Sequence, residues 1–198
     1  MNRIFKLILA VMLGVAISAH ARSGPDAVVV EMTERVLAAA AAEGSAMNPT
    51  KLKTLVETAV MPHVDFQAMT ARAVGLKWRT ATDQQKARLM SGFEALLIKT
   101  YAGAFNEAAG AKFRLKRTVA LDESLAEVTS DVTVRSGRDS IALNYRLALQ
   151  GDQWKIVDVS VLGVWLVATY QTQFAQQMER SGGLEGLIQA LEDRSKAR

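Results

Sequence analysis

The apolar period of this chain changes twice. Up to Gly110 large apolar residues recur at three- and four-residue spacing; from Phe113 they alternate with polar ones; beyond Gly163 the helical spacing returns. The first spacing is that of one helix face and the second that of one sheet face, so helices precede a run of strands and helices follow it. Elements segregated in this way make an α+β domain, with helices on one face of a curved antiparallel sheet.

The strongest helical signal lies in residues 78–105. Thr82 and Gln85 form a capping box, in which each side chain can satisfy an orphan backbone N–H. Behind it Leu89, Phe93, Leu96, Leu97, Tyr101 and Phe105 sustain a wide apolar face, while Gln84, Lys86, Arg88, Glu94 and Lys99 read as solvated. Helices are also predicted over 26–43 and 50–61, the second broken by Pro62, and over 65–74, capped by Asp65 and ended by Gly75. Two more cover 164–180 and 184–192, with a charged tail from about 193 that should fray.

Between them Phe113 and Leu115, then Val128, Val132 and Val134, then Ile141 to Leu149, then 154–161, give four strands, with a fifth open. Gly137-Arg138 and Gly151-Asp152 supply the last two hairpin turns.

The beginning of the chain has a separate meaning. Arg3 and Lys6 precede an apolar run over 7–17, and Ala19-His20-Ala21 has the form of a cleavage site. Residues 1–21 therefore read as a secretory leader, leaving 22–198 as a single domain, exported and freely soluble. The formal net charge of +4 loses Arg3 and Lys6 with that leader, so no nucleic-acid partner is expected. Lys112, Arg114, Lys116 and Arg117 form the only local basic cluster, read either as a solvated strand face or as an anionic docking patch.

Catalytic patterns are scarce. There is no cysteine, which excludes thiol nucleophiles and thiolate metal sites. Beyond the leader His63 is the sole histidine, and it follows Pro62 at a helix end. No metal-ligand spacing and no glycine-rich phosphate cradle occurs, so no metal or cofactor is expected. One enzymatic alternative remains, a proton-transfer site with Asp158 as base and Tyr101 or Tyr145 as donor.

The chain instead carries an excess of large apolar groups directed at one layer. Trp78, Phe93, Leu97, Tyr101 and Phe105 stand opposite Val132, Val134, Tyr145, Leu147, Val157 and Val159, with Trp165, Leu166 and Phe174 following. Periodicity alone favours a closed core over the lining of a cavity, though the pattern does not separate a filled core from a lined hole.

Two segments go beyond spelling a fold. Gly75, Trp78, Thr82, Gln85, Phe93, Leu96, Leu97, Thr100 and Tyr101 match, in order and spacing, a signature of the MlaC family, also called toluene-tolerance proteins. Tyr145, Arg146, Leu147, Trp154, Lys155, Asp158, Val159, Gly163, Leu166, Val167, Tyr170 and Phe174 resemble its second conserved block. The resemblance extends over nearly the whole chain after the leader. It implies a nuclear-transport-factor-like cone and a non-enzymatic periplasmic carrier that holds phospholipid in a cavity lined by the fourteen large apolar residues from Trp78 to Phe174 set out above, with its headgroup in water and weakly selected. The implied partners are an inner-membrane ABC transporter complex and an outer-membrane lipoprotein–porin complex that maintain lipid asymmetry. The chain departs from the family pattern at Leu162, Trp165 and Gln171, which leaves a different lipid, such as a hopanoid, as an alternative cargo. The bulk of Trp165 is expected to narrow the cavity or reshape its mouth.

Overall fold

The computed structural model describes residues 23–43, 47–134 and 140–196; the expected leader and the Gly137-Arg138 turn lie outside them. In chain order come α1 (Pro25–Glu43), α2 (Pro49–Leu55), a π turn (Val56–Val60), a 3-10 turn (Met61–His63), α3 (Phe66–Val74), a second 3-10 turn (Gly75–Thr80) and α4 (Asp83–Glu107). Strands β1 (Lys112–Ala120), β2 (Leu125–Thr133), β3 (Ser140–Gln150), β4 (Gln153–Val161) and β5 (Val164–Trp165) follow, then α5 (Leu166–Ser181) and α6 (Leu184–Lys196). The strands form one antiparallel sheet in the order β1-β2-β3-β4-β5, so the chain has the expected α+β architecture.

The capping box forms as expected. The Thr82 hydroxyl accepts from the Gln85 N–H at 3.2 Å, and the Gln85 side chain accepts from the Thr82 N–H at 3.0 Å. From that fixed start α4 packs its Leu89 and Phe93 side, fully buried, against α3, α5 and α6. The Phe93 ring lies 5.5 Å from Phe66, 4.9 Å from Tyr170 and 5.1 Å from Phe174 between centroids, within the range of favourable aromatic pairs. Gly92 permits this close approach, because a Cβ there would stand 2.7 Å from the Cβ of Leu191 on α6. At the surface Arg88 holds both Glu185 and Glu192, tying the same two helices.

The inner face of the sheet carries Val128, Tyr145, Leu147 and Ile156, covered by Val29 and Met32 of α1. Two bulges bend it. In β1 the register slips at Lys116. In β4 Arg146 pairs with Asp158 but Leu147 pairs with Ile156, so Val157 is the inserted residue. The β4 bulge keeps Ile156 and Val159 both on the inner side, which strict alternation would forbid.

Three expectations are corrected. The helix predicted over 50–61 is α-helical only to Leu55; then a π turn runs to Val60, its end marked by the Met61 N–H bonding Val56 C=O, and a 3-10 turn carries Pro62. The helix predicted from 164 begins at Leu166, because Val164 and Trp165 pair with Val161 and Ser160 as a fifth strand. That hairpin is closed by Leu162 and Gly163 at φ of 52° and 85°, the left-handed geometry that matches strand twist. The charged tail remains helical through Lys196.

Candidate functional site

A cavity of about 220 Å³ lies between α4 and the C-terminal half of β4. Its helical wall is Leu97, Ile98, Tyr101 and Phe105, a stripe at 3-, 4- and 7-residue intervals that continues along α4 from Phe93, with Leu97 and Tyr101 touching both the Phe93 core and the cavity. Val56, Val60, Met61 and Val64 roof it from the π and 3-10 turns. Phe66 and Met69 of α3, Val159 and Val161 of β4, and Leu166 of α5 complete it. Apart from the Tyr101 hydroxyl and the Glu94 carboxyl, these side chains are apolar.

Each wall has a local cause. The wider π turn places Val56, Val60 and Met61 along one edge of the cavity; single π turns of this kind are frequent at functional sites. The strand wall depends on the Val157 bulge, since Val159 and Val161 face inward only because the register shifts there. Asp65 fixes the start of α3 by accepting from the Ala68 N–H at 2.9 Å, while its own N–H bonds Ile156 C=O at 2.9 Å, joining helix to strand.

Of the fourteen residues singled out from the sequence, the structure brings Leu97, Tyr101, Phe105, Val159 and Leu166 together on the cavity. Phe93 and Phe174 are instead in the closed aromatic core next door, with Phe66 as the partition between core and cavity. Trp78 is half-buried at the edge of that core, beneath the Lys86 ammonium, which stands 5.9 Å from the ring. Tyr145 and Leu147 are buried beneath α1, and Val132, on the same face of β2, pairs with Ile141. Val134 lies one residue past the end of β2, half-buried. Val157 is the buried bulge residue.

Trp165 does not narrow the cavity. It stacks on the Arg146 guanidinium at 3.9 Å, on the opposite side of the sheet, and the next residue, Leu166, is the one that turns inward. Leu162 and Val164 stand exposed on the hairpin beside Val161, at the sheet end of the cavity.

Sequence reading missed Glu94, and with it Ile98, Val56, Val60, Met61, Val64, Phe66, Met69 and Val161. Glu94 was assigned to the solvated face by its charge, although its position, three, four, seven and eleven residues before Leu97, Ile98, Tyr101 and Phe105, puts it on their stripe. Burial raises its carboxyl pKa above the usual range, opposed by the Lys53 charge and reinforced by Glu57.

The proposed acid–base pair is not assembled. Asp158 pairs with Arg146 on the outer face, whereas the neighbouring Tyr145 points inward. Its Oδ1 accepts from the Val167 N–H at 3.1 Å and the Val159 N–H at 2.9 Å, so it caps the start of α5. Burial raises its pKa, partly offset by those two bonds. Tyr145 is pushed up by burial and is hydrogen-bonded with Ser130 and Thr33. His63 is held below its ordinary pKa, chiefly by burial. Among the described residues no group of three or more His, Asp or Glu could hold a metal. The basic strand face is partly neutralised, since Arg114 and Lys116 both pair with Asp131 and depress its pKa.

The family described as MlaC protein matches residues 30–193. The toluene tolerance protein ttg2D of Pseudomonas putida is 27% identical over 136 residues, 68% of this chain, and the chain spans 63% of that relative's length. Among solved structures, a phospholipid-binding protein from Ralstonia solanacearum, determined in complex with a phospholipid, matches with a TM-score of 0.82 and 33% identity, over 87% of this chain and 97% of that one.

Proposed function

Since the chain belongs to the MlaC family, we propose that it is a phospholipid-binding carrier that takes the acyl part of its cargo into the cavity between α4 and β4. The observation that carries this reading is the cavity itself, roofed by a π turn and lined by apolar side chains with a single carboxyl at one end. An acyl chain in water costs about 0.8 kcal/mol per methylene. A protein that moves lipid through water therefore needs a dry enclosure and no catalytic group. The likeness to a phospholipid-binding protein crystallised with its ligand supports the same cargo.

The carrier works in the periplasm, exchanging lipid between an inner-membrane ABC transporter complex and an outer-membrane lipoprotein–porin complex. This wider placement follows the family resemblance and is supported by the relative named for toluene tolerance. No described helix is long and apolar enough to cross a membrane. A small proton-transfer enzyme on this fold has less support, because Asp158 is engaged in holding the start of α5.

Organic extraction of the purified protein, with mass spectrometry of the extract, tests the cargo. One diacyl phospholipid per protein molecule is expected. Protein that emerges lipid-free and takes up no phospholipid from a detergent-dispersed mixture overturns the reading.

A further inference from the structure

Glu94 is the unexplained residue of the cavity. It lines the apolar hollow with Leu97 and Tyr101, yet it carries a carboxyl whose Oε1 is buried and receives no hydrogen bond among the described residues. Such an atom is costly to leave unsatisfied. The Lys53 charge acts on Glu94 without a hydrogen bond to Oε1, and the Lys53 ammonium is the ion-pair partner of Glu57.

Position adds the second observation. Glu94 also lines two hollows that open on the surface, one beneath α2 with Leu52 and Ile98, the other beside Trp78 and Lys86. It therefore stands where the apolar cavity meets two hollows lined in part by polar side chains, Ser91 in both. At a rise of 1.5 Å per residue, Phe105 lies about 16 Å further along α4. The cavity thus has a polar end and an apolar end, the same polarity as a lipid.

We propose that Glu94 marks the polar end of the binding site and accepts a hydrogen bond from an N–H or O–H donor carried by the bound lipid. The donor is either the primary ammonium of a headgroup or a headgroup hydroxyl. This reading rests on the carrier function, and it departs from the expectation that the headgroup stays in water and is weakly selected. Leu97 to Phe105 hold the chain; Glu94 discriminates what is attached to it.

Competition among three phospholipids with identical acyl chains tests this, with bound lipid read by native mass spectrometry. Phosphatidylethanolamine offers N–H donors, phosphatidylglycerol offers hydroxyls, and phosphatidylcholine offers neither. The wild-type protein is expected to favour one or both donor-bearing lipids over phosphatidylcholine by about tenfold, the scale of one charge-assisted hydrogen bond. Selection of the ethanolamine lipid identifies the ammonium as the source, and selection of the glycerol lipid identifies the hydroxyl. Glu94→Leu should load all three equally, while Glu94→Gln should keep part of the preference. If the wild type does not separate either donor lipid from phosphatidylcholine, or if Glu94→Leu keeps the full preference, the assignment of Glu94 is overturned and the carrier function stands. Absence of any loading in the wild type overturns both.

Discussion

At the scale of residues, two apolar positions four apart on α4 have different duties. Phe93 is fully buried among three aromatic rings, so Phe93→Ala leaves a void and should cost about 3–5 kcal/mol in chemical denaturation, in the range of large-to-small core substitutions. Leu97 faces the cavity. Leu97→Trp should leave stability unchanged or raise it by up to about 1 kcal/mol, as cavity filling does, and should lower lipid loading severalfold. Loading that stays at the wild-type level in Leu97→Trp would remove this residue from the binding wall. Leu147, buried beneath α1, offers no such test, because a tryptophan there would overpack the core.

Elements show why the cavity has its shape. The π turn inserts one residue where an α-helix from Pro49 would have run straight to Met61. Deleting Thr58, an exposed residue whose hydroxyl bonds only the Thr54 carbonyl, should restore the α-helical period. The flanking residues would then rotate by about 100° relative to one another, swinging either the Leu52 face or Val60 and Met61 out of place. Helix content by circular dichroism should hold while lipid per protein falls at least twofold; equal loading would show that the turn does not shape the site. This element also marks the limit of legibility. The capping box at Thr82 was readable because it is a local pattern whose two hydrogen bonds lie within four residues. The order of helices and strands was readable from the change of period. The π turn, the Val157 bulge and the two-residue fifth strand were not, because each is a one-residue departure from a period, set by what packs against it. Glu94 is hard to read for another reason: its charge predicts a solvated side chain, while its spacing from Leu97, Tyr101 and Phe105 puts it on their stripe.

For the whole molecule, the relevant comparison is between the cavity and its cargo. The hollow of about 220 Å³ falls below the few hundred Å³ usual for small-molecule sites, and a diacyl lipid is larger still. The roof of short α2, π turn and 3-10 turn is the side built from the shortest elements. The opposite walls are the 25-residue α4 and a continuous sheet. A diacyl lipid that enters here would displace the roof before the aromatic core between α3, α4, α5 and α6. That core, with Gly92 against Leu191 and Arg88 between two glutamates, contributes no atom to the cavity apart from Phe66, Met69 and Leu166.

The void also makes this protein a gauge of hydrostatic pressure. Unfolding under pressure is driven by internal space that vanishes when water enters the chain. An emptied carrier should have a markedly more negative unfolding volume than the same carrier filled, as measured by fluorescence in a pressure cell on delipidated and reloaded samples. Equal unfolding volumes would mean that cargo does not occupy the hollow. At constant pressure the same difference should take another form, the emptied carrier being the more compressible of the two.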